Sequence, residues 1–200
     1  SNSNIPIINL ETAFSEDHQL HLIDSACRDH GFFLIKNHGM QKEIDDMWNM
    51  SKWFFSQERS EKLKILRTEE LPLGFYDREL TKQKRDLKEV FDFMEPRQEE
   101  DINQWPAEKK FQETMQNFFH RSSEVAEKTL KLIFKCLNLE KNKFFSGDSK
   151  TSNARLNFYP TSDPLSLEEK NKVNEIGDMA LHHHTDPGIL TLLHQDMTGG

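Results

Sequence analysis

The sequence predicts a mixed α/β (α+β) protein, rich in helix up to about residue 149 and in strand after it. Three observations carry this. From Ala107 the residues Phe111, Met115, Phe118, Ser122, Val125, Thr129, Ile133 and Leu137 recur every three or four positions, which predicts one long amphipathic helix over about 107–138. The 15 phenylalanines recur at structural spacings and predict a phenylalanine-rich core, although hydrophobic residues are only 35% of the chain. Beyond Lys150 the runs TSNARLNFYP, MALHHHTD and GILTLLHQD read as strands.

The remaining elements follow in order. IPIINL is a short apolar strand, and HQLHLIDSACRDHG is a helix closed by Gly31. FFLIKNH is a second strand. MQKEIDDMWNMSKWFFSQ places Ile44, Met47, Met50, Trp53 and Phe54 on one helical face, a core stripe rather than a cofactor box, and the charged SQERSEKLKI continues in helical register. LPLGFYDREL is a loop leading into an extended piece, KEVFDFME alternates as a half-buried strand, and Asp101 to Pro106 is a connection. Thr161 to Asp178 is a polar loop. There are no internal repeats and no low-complexity segments.

At 200 residues the chain has the length of one domain with a sizeable core. It carries 26 Lys and Arg against 34 Asp and Glu, a formal charge of -8, and no basic run free of nearby acids. Nucleic acid is thereby excluded as a partner. No stretch approaches the roughly 20 apolar residues of a membrane span, and SNSNIPIINL lacks the basic start and long apolar core of a signal peptide. The expected setting is cytoplasmic, with no membrane partner. Cys27 and Cys136 lie in apolar helical patterns without ligand spacing, and each is expected to be a small core residue in a reducing compartment.

Four of the nine histidines fall in the last twenty residues. An H-x-D triplet in a strand directs both side chains to one face, with Cα atoms about 6.6–6.8 Å apart, which suits two ligands converging on one ion. The triplet occurs twice, as His184-Thr185-Asp186 and as His194-Gln195-Asp196. Pro187 and Gly188 follow the first, placing it where a strand ends at a rim, and open coordination positions are reachable there. The second follows ILTLL at the far end of the next strand, where turn or solvent hydrogen bonds account for it. His182 shares the parity of His184, and His183 faces the other way. One His and one carboxylate without clustered cysteines suit non-haem Fe(II), whose facial triad needs a second His.

These residues resemble a known family, the iron(II)- and 2-oxoglutarate-dependent dioxygenases of the isopenicillin N synthase type. IPIINL is similar to its opening strand, ACRDHGFFLIKNHG to its N-terminal helix-strand signature, and KEVFDF with INQWPAEKKF to the segments before its long helix. RLNFYP and HTDPGILTLLHQD are similar to two central motifs of its barrel. The resemblance implies a double-stranded β-helix, or jelly roll, with an N-terminal helical buttress. Residues 1–150 would form the N-terminal region and 151–200 the first part of the jelly roll. It further implies His184 and Asp186 as iron ligands, Asn157 near the metal-bound end of 2-oxoglutarate, and Tyr159 as a hydrogen-bond partner of its distal carboxylate. Dioxygen is the implied oxidant and ascorbate a candidate reductant. The implied reaction couples 2-oxoglutarate decarboxylation to hydroxylation, desaturation or cyclisation of a small organic substrate. The family's distal His and its Arg-x-Ser pair fall downstream of Gly200, so the 200-residue chain is expected to be part of a longer enzyme and inactive alone. An iron oxidase of this scaffold that does not use 2-oxoglutarate, or a non-catalytic protein retaining the fold, are the alternatives.

Overall fold

Ile8 and Ile35 are the middle residues of two three-residue strands, and their pairing starts the architecture. The computed structural model describes residues 4–139, 152–177 and 188–198. The chain divides into two compact units, Ser1–Ile44 with His120–Ser149 and Gly188–Gly200, and Asp45–Phe119 with Lys150–Pro187.

In the first unit β1 (Ile7–Asn9) and β2 (Leu34–Lys36) pair in parallel, with Ile8 opposite Ile35. Parallel neighbours need a crossover, and α1 (Asp17–Asp29) supplies it, burying Ile23 and Ala26 completely. As expected, Gly31 stops this helix. Its φ is +77°, and the amides of His30 and Gly31 both reach the Ala26 carbonyl at 2.9 Å, a left-handed termination. The latter part of α4 (Lys109–Cys136; α2 and α3 are placed below) belongs to this unit and buries Val125, Thr129 and Leu132. Thr129 is tolerated there because its hydroxyl donates to the Val125 carbonyl at 2.8 Å. The buried stripe passes through Leu132 rather than Ile133, and Leu137 is half-exposed beyond the helix. Both cysteines are free, but Cys27 is exposed, which corrects its assignment to the core. Its side of α1 faces outward while Ile23 and Ala26 face in. Residues 190–196 form no strand ladder among the described residues, although the apolar run of GILTLLHQD reads as one. A strand needs a neighbour to take its backbone groups, and composition alone does not supply it.

The second unit begins in α2 (Gln41–Phe55), whose Met47, Met50 and Phe54 are buried as the stripe predicts. The charged continuation is not one helix. It breaks at Ser56–Glu58 and resumes as α3 (Arg59–Leu63). The cause is local: Ser56 Oγ and Gln57 Nε2 each donate to the Trp53 carbonyl at 2.8 Å, taking the acceptor that the next helical amide would use.

After α3 come β3 (Gly74–Tyr76), the hairpin of β4 (Leu80–Thr81) and β5 (Lys84–Arg85), and β6 (Glu89–Met94). β3 and β6 form an antiparallel sheet with β7 (Asn153–Phe158) in the order β3-β6-β7, and the hairpin is a separate two-stranded sheet. Gly74 is required where it stands: its φ is +111°, and a Cβ would lie 2.5 Å from the Ile65 carbonyl oxygen. The far end of β6 is finished by Asn103, whose side chain accepts from the Met94 amide at 2.9 Å and donates to its carbonyl at 2.8 Å, acting as a strand partner. β6 is not half-buried as its alternation suggests, since Glu89 to Phe93 are all buried.

One face of this sheet meets the aromatic core. Phe54 packs on Phe55, Phe75, Phe91 and Phe111 with centroids 5.1–6.2 Å apart, and Trp105 covers Phe91 and Phe93. Such pairs add about 0.5–1.5 kcal/mol each beyond their area. Lys62 enters the same region, its Nζ donating to Glu89 Oε1 at 2.6 Å and to the Phe55 carbonyl at 3.0 Å, with side chains only 6% and 3% exposed. Removing one partner strands the other charge out of water, so Glu89→Ala is expected to destabilise the fold by about 3–5 kcal/mol. The double replacement Lys62→Met with Glu89→Leu should be near neutral by the same argument. Urea midpoints of the two variants against the parent check this: equal losses in both would mean that the charges themselves, and not their pairing, hold the core.

Candidate functional site

The register of β7 against β6 places the site residues. Leu156 lies opposite Phe91 and Phe158 opposite Glu89 on the aromatic face, where Phe158 stacks on Phe55 at 5.2 Å. Asn157 lies opposite Val90, and Arg155 opposite Asp92, so both belong to the other face. Alternation carried one residue past the strand brings Tyr159 to the face of Asn157. Asn157 is exposed and Tyr159 is 49% exposed. Neither side chain makes a hydrogen bond among the described residues, which leaves the carboxamide and the phenol with unused donors. His184 and Asp186, with His182 and His183, lie outside the described residues. Among the described residues no group of three or more His, Cys, Asp or Glu is placed to hold a metal ion.

Behind Asn157 the same face carries a closed ring of four charges. Arg155 binds Asp92 through Nε at 2.7 Å and Nη2 at 2.8 Å, and binds Glu79 through Nη1 at 2.9 Å. Arg67 closes the ring, reaching Asp92 at 3.1 Å and Glu79 at 3.4 Å while its guanidinium stacks 4.0 Å over the Tyr76 ring. Lys88 adds a third cation to Glu79 at 2.9 Å and also meets Asp86 at 3.2 Å. Desolvation pushes the Glu79 carboxyl up, but the Lys88 hydrogen bond and the charges of Arg155, Lys88 and Arg67 outweigh it and hold its pKa below the ordinary value. For Arg155 desolvation likewise opposes, and Asp92 with Glu79 wins, raising its pKa. Glu79 and Arg155 are both held in their charged forms by these contacts. Sequence reading missed it because its members come from four separate segments.

The loop that follows Tyr159 is fastened at several points. Buried Arg85 pairs with Asp163, its amide donates to the Glu175 carbonyl at 2.8 Å, and its carbonyl accepts from the Gly177 amide at 2.9 Å. Within this polar loop Ser166 and Glu169 form a capping box on the four-residue α5 (Leu167–Lys170). Glu169 also receives Arg59 at 2.7 Å and Arg78 at 3.1 Å. The connection from β7 toward His184 is thus held to α3 and to the β4–β5 hairpin.

Asp196 accepts from the Thr198 amide at 3.0 Å, a turn contact, and burial with the nearby His38 lowers the pKa of His194.

Residues 5–108, just over half of the chain, match the family model described as the N-terminal domain of the non-haem dioxygenase in morphine synthesis. The chain belongs to the iron(II)- and 2-oxoglutarate-dependent dioxygenase superfamily. Other similarities agree with this membership. The chain is 33% identical over 196 residues to the 2-oxoglutarate-dependent dioxygenase ecdK of Aspergillus rugulosus, an alignment covering 85% of this chain and 57% of the relative. It is 29% identical over 211 residues to the naringenin,2-oxoglutarate 3-dioxygenase of Petunia hybrida, covering 98% and 53%. A full-length Neurospora crassa protein crystallised in complex with alpha-KG has the same fold at a TM-score of 0.68 and 24% identity, over 80% of this chain and 56% of that one. The chain thus spans a little more than half the length of these relatives. The mixed α/β fold stands. No helix among its described residues is long and apolar enough to cross a membrane.

Glu169 gives the site a testable pH dependence. The Ser166 backbone hydrogen bond, then Arg59 and the Ser166 hydroxyl, lower its pKa from 4.5 to about 2. A carboxyl depressed in the folded state stabilises above its unfolded value, and the contribution fades as pH falls through the folded one. Pepsin cleavage within residues 161–177 is therefore expected to rise between about pH 4.5 and pH 2, and Glu169→Gln should already show the faster cleavage at pH 4. A cleavage profile identical in parent and variant would remove Glu169 from the fastening.

Proposed function

We propose that the protein is a non-haem iron oxidoreductase that couples 2-oxoglutarate decarboxylation and dioxygen activation to oxidation of a small organic molecule. The observation that carries this is that Asn157 and, by alternation, Tyr159 share one side of β7, both exposed and with unused donors, in a chain that belongs to the dioxygenase superfamily. Residues 1–150 form the N-terminal region in this reading, and 151–200 open a jelly-roll domain. His184 and Asp186 hold the iron, and the bound iron with 2-oxoglutarate supplies the oxidising chemistry. Asn157 orients the metal-bound end of the co-substrate. Tyr159 donates its phenolic hydrogen to the distal carboxylate, a contact suited to a charged acceptor. The apolar packing of Leu156 and Phe158 beneath them keeps β7 rigid, which holds both donors in place.

Two substitutions in the full-length protein test the reading. Tyr159→Phe should raise the 2-oxoglutarate requirement by about 10- to 150-fold, the worth of one hydrogen bond to a charged group, with metal affinity unchanged. An unaltered requirement would favour an oxidase that draws its electrons elsewhere. His184→Ala should abolish iron binding and turnover with little change in unfolding midpoint, because a rim ligand packs less than a core residue. Iron retained by His184→Ala and lost by His194→Ala would transfer the ligand role to the other triplet.

A further inference from the structure

Along β7 the face that carries Tyr159 and Asn157 carries Arg155 next, each step being two residues or about 6.6–6.8 Å. If Tyr159 meets the distal carboxylate and Asn157 the metal-bound end, the next position on that line lies past the co-substrate, where the molecule to be oxidised must sit. This step rests on the co-substrate reading above. Arg155 is also equipped to meet a ligand. Its guanidinium has five N–H donors, and its hydrogen bonds to Asp92 and Glu79 use one N–H each on Nε, Nη1 and Nη2, which leaves one N–H on Nη1 and one on Nη2 outside those bonds. The side chain is 38% exposed although Asp92 and Glu79 are only 12% and 16% exposed, so the ring is anchored inward and open outward at Arg155.

We propose that Arg155 is a specificity-determining residue that binds an oxygen acceptor of the prime substrate, a carboxylate or a carbonyl, through these two N–H groups. The chemistry follows from what is left over. Only donors are unspent, so a cationic group finds no partner. An apolar surface laid over the guanidinium would strip its water without replacing the hydrogen bonds. Arg67, Arg155 and Lys88 balance Glu79, Asp92 and Asp86 in charge, so the face does not repel an anion. A planar acceptor with two oxygens matches the terminal nitrogens best.

The test uses the full-length protein and two probes of equal size, benzoate and benzylamine, with binding followed by saturation-transfer NMR titration. Benzoate is expected to bind the parent at millimolar concentration and benzylamine is not. Arg155→Lys keeps the charge beside Asp92 but not the planar pair of spare donors, and should weaken benzoate at least about tenfold. Arg155→Gln serves as the second variant, with circular dichroism showing that each is folded. Excess 2-oxoglutarate should leave benzoate bound. No benzoate binding by the parent, equal affinity in folded Arg155→Lys, or displacement by 2-oxoglutarate would each overturn the proposal, the last by placing Arg155 in the co-substrate site. If Tyr159→Phe raises the 2-oxoglutarate requirement and benzoate is indifferent to Arg155, only this inference fails. If Tyr159→Phe has no effect, the co-substrate reading has failed first.

Discussion

From Glu89 to Phe93 no residue of β6 is more than 8% exposed, yet its two faces differ in kind, with Phe91 and Phe93 on one and Asp92 beside Val90 on the other. Covering that strand is the constraint on which the second unit depends. The aromatic side is covered by Phe54, Phe111 and Trp105 through area and ring contacts. The polar side cannot be covered that way, because a carboxylate out of water needs a cation and hydrogen bonds. Arg67 and Arg155 supply both, and in doing so they fix which residue of β7 lies opposite Asp92. A slip of one residue would put Leu156 beside Asp92 and Arg155 among the phenylalanines. The register that sets Asn157 and Tyr159 on the open face is thus enforced from both sides of the sheet.

How much of this was legible in the sequence depended on how local the signal was. The 3.6-residue stripe of α4 and the stop at Gly31 are local, and the structure has both. The strand RLNFYP was also readable, since Leu156 and Phe158 alternate with polar neighbours. The β4–β5 hairpin was not. Its turn residues Lys82 and Gln83 take φ of 52° and 69° without the glycine or asparagine that usually announces such a turn. The break after Phe55 was hidden for a different reason: serine and glutamine are tolerated in helices, and only the geometry shows them capturing the Trp53 carbonyl. Burial of β6 on both faces was beyond reach, because period-two alternation reports a difference between faces and says nothing about what covers the polar one.

The site divides along the same line. Asn157 and Tyr159 were reached through resemblance to a family, as strand residues whose chemistry suits an anion. The ring beside them was invisible, because Arg67 and Asp92 are 25 residues apart and Arg155 and Glu79 are 76 apart, and no spacing rule connects such positions. The polar loop after Tyr159 looked featureless for a similar reason. Its order comes from Arg85, Arg59 and Arg78, residues of earlier segments that read as ordinary surface charges.

An apolar pair in place of Asp92 and Arg155 would also hold the two strands together, since an ion pair with a partly exposed member adds little net stability. Stability therefore does not explain why charge occupies this position. What the ion pair adds is direction. Bidentate contact with Asp92 and the bond to Glu79 fix the plane of the Arg155 guanidinium, so its remaining donors are presented at one orientation. Arginine loses less freedom per hydrogen bond when its fork is already held, and a ligand meeting a preset donor avoids most of that ordering cost. The same logic applies to Asn157 and Tyr159, held on a strand whose other face is locked into an aromatic core. Rigidity on the buried side is what makes the open side selective.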